Sequence, residues 1–161
     1  MRTMSPPKSN QPKPVKKSVS LAVSQSAEAG DAADPKVLLV LRPDGDQDFP
    51  GMWGLPAGSL VPGETLEQAA ERVGRQKLGA ARVLGSALGS GRQERPEYTL
   101  EMWLFPAVLI GGLPALPHPL SGSGVTFYVD WRWGRPEELS GAASSSGSLC
   151  SQLLLQSLHR H

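Results

Sequence analysis

The chain reads as an α+β fold in which helices and sheet form layers. Two observations predict this. The element order is strand, strand, strand–loop–helix, strands, helix, which gives layering rather than alternating βα units. The 161 residues also suffice for one domain with a real core.

Residues 1–17, MRTMSPPKSNQPKPVKK, offer almost nothing to bury and read as a disordered tail before a domain over 18–161. Every charge in the tail is positive: Arg2, Lys8, Lys13, Lys16 and Lys17. It is either a solubilising tail or an electrostatic arm for RNA or acidic partners. Residues 18–24, SVSLAVS, are partly alternating and predict a strand. Residues 36–42, KVLLVLR, are a continuous apolar run of strand length, as expected for a strand buried on both faces. The two suggest a hairpin with a long loop. Residues 43–51 are turn-rich, with Asp44, Asp46 and Asp48 at alternate positions. A calcium loop starting at Asp44 needs Gly and Glu where Phe49 and Leu55 stand, so that reading is excluded.

A helix is predicted from near Thr65 to Leu78. Thr65 as N-cap and Gln68 three residues later form a capping box. Leu66, Ala69, Ala70 and Val73 make the buried stripe, and Gly79 ends the helix. Gly74 inside it costs about 1 kcal/mol against Ala, which points to close packing or to relaxed constraint. Residues 81–89 and 98–110 read as strands, with Pro106 demoting the middle of the second to a bulge or an edge. Residues 111–124 form a linker inside the domain. Residues 125–133 form a strand with Phe127, Val129, Trp131 and Trp133 on one face. Pro136 opens a short helix, Ser144 to Ser146 sit in a loop, and residues 148–158 close the chain as an amphipathic helix.

Charge is nearly balanced, with 16 Lys and Arg against 15 Asp and Glu, so nothing global favours nucleic acid or an anionic membrane. The single cysteine, Cys150, excludes an intrachain disulfide and fits a reducing, cytoplasmic setting. No apolar run approaches the roughly 18 residues that span a bilayer. The start of the chain has no secretory pattern. The 18 glycines and 15 prolines point to long, stiffened loops.

The stretch from Gly51 to Ala80, GMWGLPAGSLVPGETLEQAAERVGRQKLGA, resembles the Nudix box, the loop-and-helix motif of the MutT-like hydrolases. Gly58 and Glu64 fit its first half, Arg72 falls at the family's Arg, and Gly79 and Ala80 close it. Trp53-Gly54-Leu55-Pro56 precedes it as in many Nudix sequences, with Ala57 where a first Gly often stands. The resemblance implies a mixed sheet sandwiched between helices over about residues 18–158. It also implies hydrolysis of nucleoside diphosphates linked to another moiety, with Mg²⁺ or Mn²⁺ held by three helix glutamates.

Those three places hold Val73, Gln76 and Lys77. Hard cations need oxygen ligands, and three negative charges have become zero, zero and plus one. At about 1 to 4 kcal/mol per charge pair, nearby groups do not offset the loss. No metal site is therefore expected, and no cofactor, unless carboxylates elsewhere restore a hydrolase that uses Mg²⁺ or Mn²⁺. Glu64, Glu94, Glu97 and Glu101 are the candidate bases for that alternative. Glu71 lies about 200° round the helix from Val73 and is expected to pair with Arg75 on a solvated face.

Gly58, Arg72, Gln76 and Lys77 are the candidate ligand-binding residues. Lys77 either meets phosphate as a point charge beside Arg72 or complements the helix dipole. Trp103, Trp131, Trp133 and Tyr98 either stack on a base or fill the core. His118, His159 and His161 make no metal constellation, and Cys150 reads as a small core residue. The functional expectation is a Nudix-fold protein with impaired catalysis that binds a nucleotide-like or phosphate-bearing ligand or a macromolecular partner. The alternatives are a divergent metal-dependent hydrolase and an RNA- or ribosome-associated relative. The sequence leaves the oligomeric state open.

Overall fold

A computed structural model describes residues 13–24, 36–44, 51–79, 81–109, 114, 116, 128–139 and 149–159. The expectations for residues 1–12, Ala80, Phe127, the 144–146 serines, His118 and His161 lie outside these residues. Among the described residues, eight strands, two helices and a 3₁₀ turn follow in order. The first half holds β1 (Val15–Ser24), β2 (Val37–Leu41), β3 (Trp53–Gly54), β4 (Ala57–Ser59) and α1 (Leu66–Leu78). The second holds β5 (Ala81–Val83), β6 (Gly89–Glu94), β7 (Thr99–Leu109), β8 (Asp130–Gly134), the turn Pro136–Leu139 and α2 (Leu149–His159).

The larger sheet has the order β4-β1-β7-β5, with β6 also on β7. β1 and β7 run parallel from Val15↔Thr99 to Ser24↔Val108, and the other pairs are antiparallel, so the sheet is mixed. A smaller sheet has the order β3-β2-β8. Alternation along the strands divides the core between two faces. Val19, Leu21, Val23, Phe105, Ala107, Leu38 and Val40 share one cluster with Ala69, Ala70, Val73 and Leu78 of α1. Leu39, Leu100, Met102 and Leu104 share the other with Leu149, Cys150, Leu153 and Leu154 of α2. The sheets are thus layered between the two helices, the predicted α+β sandwich.

The structure corrects five expectations. The predicted strand over 125–133 begins only at Asp130 among its described residues, and Val129 is an exposed bend that does not share the face of Trp131 and Trp133. β1 and β2 are not a hairpin; they lie in different sheets. β1 starts at Val15, so the last residues of the predicted tail are strand, paired by register to Thr99, Leu100 and Glu101. The segment 81–89 is not one strand. β5 ends at Val83, and a separate strand, β6, has the sequence GSGRQE, which carries no strand pattern of its own. β6 is held by β7 on one side and by α2, whose Leu149 and Leu153 approach Gly91. Finally, β7 is a central strand despite Pro106. The Pro106 carbonyl accepts from Leu84 N–H at 2.8 Å, so its ring nitrogen faces the gap between β5 and β6. The missing donor therefore costs no bond to β1.

Candidate functional site

The site is built from β4, the loop after it and α1. The capping box forms as expected. Gln68 N–H donates to Thr65 Oγ1 at 3.1 Å, and Thr65 N–H donates to Gln68 Oε1 at 3.0 Å. Gly79, with φ of 83°, ends the helix and donates its N–H to Arg75 O. The buried stripe of α1 then lies against β4 at van der Waals range. A Cβ on Gly58 would sit 2.7 Å from Val73 Cγ2, so only glycine permits this approach.

Arg72 organises the loop. Its Nε donates to Glu64 Oε2 at 2.8 Å and its Nη2 to Glu64 Oε1 at 3.1 Å, a two-pronged grip on one carboxylate. The same guanidinium donates to Ser59 O at 2.7 Å and to Gln76 Oε1 at 3.0 Å. Glu64 also accepts the N–H of Val61 at 3.1 Å. The hydrogen bond from Arg72 is the main reason the Glu64 carboxyl is held below its ordinary range, against a desolvation that works the other way. Glu64, Arg72 and Gln76 are thereby joined in one network across the loop and the helix.

Lys77 lies elsewhere. It is only 6% exposed. Its ammonium donates to the Ala57 carbonyl and stands 5.3 Å from the centroid of the Tyr128 ring. Tyr128 closes the arrangement: its hydroxyl accepts from Ala57 N–H at 2.9 Å and donates to Ala57 O at 3.3 Å. Sequence reasoning had not singled out Tyr128 or Ala57 for such a role. Tyr128 is 71 residues from Ala57, and no local signal links them.

The three box positions therefore present a fully buried valine, an amide held by Arg72 and a buried ammonium bonded to a carbonyl. These groups do not fit a divalent cation, which requires converging oxygen ligands. Among the described residues, no group of three or more His, Cys, Asp or Glu side chains could hold a metal ion.

The other candidate carboxylates lie on β6, β7 and the turn between them. Glu94 pairs with Lys13 at 2.8 Å and accepts from Thr99 Oγ1 at 3.0 Å. These partners, Lys13 foremost, hold its carboxyl below the ordinary range. Glu101 faces Arg92 at 3.5 Å, and Glu97 is exposed. Glu71 accepts the N–H of Val83 on β5 at 3.3 Å, a partner other than the Arg75 that helical spacing suggested. On the outer side of α1, Glu64, Glu67, Gln68, Glu71, Arg72 and Arg75 line an open groove of about 410 Å³.

The four aromatics considered as a stacking wall are divided. Trp103, Trp131 and Trp133 are half-buried against the α1-side core, with the last two edge-to-face at 6.3 Å. Tyr98 packs against the α2-side core, and the Lys16 ammonium lies 5.3 Å from its ring centroid. Cys150 is a buried thiol in that same core.

The NUDIX domain family model matches residues 19–149. Among solved structures, the MutT protein from Methanosarcina mazei Go1 superposes with a TM-score of 0.68 at 16% identity, covering 92% of this chain and 96% of that one. A C. elegans Ap4A hydrolase in a binary complex gives 0.61 at 17% identity, covering 91% and 99%. The NUDIX domain of Shewanella oneidensis NrtR, complexed with ADP ribose, gives 0.61 at 19% identity, covering 96% and 92%. No curated protein matches the chain in sequence.

Proposed function

The chain belongs to the Nudix family, and on that premise we propose that it binds a nucleotide-like or phosphate-bearing ligand, or a macromolecular partner, without the family's metal-dependent cleavage. One observation carries the reading. At the helix position where the family places a metal-binding glutamate, the Lys77 ammonium is bonded to the Ala57 carbonyl. The kept frame of Gly58, Glu64 and Arg72 supports a loop that is still braced for use. The choice of ligand class follows the neighbours, one described as an Ap4A hydrolase and another as complexed with ADP ribose.

The RNA-arm alternative finds less support, since Lys13 is engaged by Glu94 and Lys16 by Tyr98. The domain on this reading begins at Val15, three residues earlier than the sequence suggested. A cytoplasmic setting belongs to the same proposal and rests on the single cysteine. No described helix is long and apolar enough to cross a membrane.

The test is calorimetric titration with ADP-ribose in EDTA and again in Mg²⁺, with product analysis on the same samples. Binding of equal strength in both buffers with the ligand recovered intact is expected. Mg²⁺-dependent or Mn²⁺-dependent turnover would overturn the proposal in favour of a divergent hydrolase and direct attention to Glu94, Glu97 and Glu101.

A further inference from the structure

A glutamate at position 77 would aim a carboxylate at the Ala57 carbonyl. Two oxygen acceptors that face each other have no attraction unless a cation lies between them. A divalent ion is the usual bridge, at about 2.0–2.6 Å from each oxygen. Lysine changes this arithmetic. Its side chain is one atom longer than that of glutamate, and it ends in three donors and a positive charge. In this protein that charge reaches the Ala57 carbonyl directly and is flanked by the Tyr128 ring, whose face favours cations.

We infer that the Lys77 ammonium is a tethered cation standing in the place of a divalent ion, and that it clamps the Ala57–Gly58 strand to α1 without metal. Three independent contacts converge on the clamp. The ammonium bonds the Ala57 carbonyl, the Tyr128 hydroxyl bonds both backbone groups of Ala57, and Gly58 admits Val73 beside it. The lysine is buried, at 6% exposure, so its desolvation is met by these contacts and not by solvent. The start of the box loop is thus fixed to the helix by a group the chain carries itself. The inference rests on the reading of the box given above, yet its readout is stability without any nucleotide. Its failure would leave ligand binding untouched as a question.

The experiment compares melting temperatures in EDTA and in millimolar Mn²⁺ for the natural protein, Lys77→Met and Lys77→Glu. The natural protein is expected to melt at the same temperature in both buffers. Lys77→Met keeps most of the apolar stem, ends one atom shorter and loses the charge; it should melt roughly 5–10 °C lower, again equally in both. Lys77→Glu should be weakened in EDTA and recover several degrees in Mn²⁺, because the two acceptors then need a bridge. A Mn²⁺-induced rise in the natural protein would overturn the inference. So would Lys77→Met melting with the natural protein, or Lys77→Glu failing to respond to Mn²⁺, folded or not.

Discussion

Arg72 holds both oxygens of Glu64, and neither side chain is freely solvated: they are 22% and 10% exposed. A charged, two-pronged pair at that depth is worth more than a surface ion pair. Glu64→Gln keeps the shape and removes the charge, and it should cost about 1–2 kcal/mol in urea unfolding. The pH dependence follows from the direction of the shift. The folded carboxyl titrates below its ordinary value of 4.5, so its contribution is fully present above that value. It is lost as pH falls through the depressed value. Stability of the natural protein should therefore decline on acidification below about pH 4.5, and the decline should be shallower in Glu64→Gln. Glycine 58 gives the opposite kind of test, one of space. Gly58→Ala drives a methyl into Val73 and should cost about 1–3 kcal/mol, read by the same unfolding experiment.

Within α1, Gly74 is the element-scale case. Helix propensity alone says that Gly74→Ala gains about 1 kcal/mol. The position is buried against β5, where an added Cβ would lie 3.0 Å from Ala81 Cβ and 3.1 Å from its carbonyl oxygen. Neither atom can swing away, since one is a Cβ and the other backbone. Gly74→Ala should therefore lower the melting temperature, which thermal denaturation checks. The sequence alone left this glycine between close packing and relaxed constraint; the contact with Ala81 decides for packing. The helix itself was legible because its signals are local: Thr65 with Gln68, the apolar stripe, and Gly79. The Arg72 brace is also local, its partners lying within thirteen residues, yet spacing alone does not announce it. β6 was not legible, because GSGRQE carries no strand-forming side chains and takes its shape from β7 and α2. Nor was the Lys77 clamp, which depends on Tyr128 arriving from the far end of the chain.

At the scale of the molecule, β7 is the axis, with β1 along one edge and β5 and β6 sharing the other. Truncation maps the boundary of the domain. Removing residues 1–17 strips Val15, Lys16 and Lys17 from the β1–β7 ladder, along with the Lys13–Glu94 pair. That variant should melt several degrees below one lacking only residues 1–12, as followed by circular dichroism. The α+β layering was readable from element order, whereas the partnership of β1 with β7 was not, since nothing in either strand names its mate. The parallel ladder also bears on how the chain is made. Val15 pairs with Thr99, 84 residues later. At about 5–20 residues per second, β1 emerges from the ribosome roughly 4–17 seconds before its neighbour emerges. During that interval a strand that alternates valine and leucine with serine has its backbone unpaired on the β7 side, an edge that invites wrong pairing until β7 arrives.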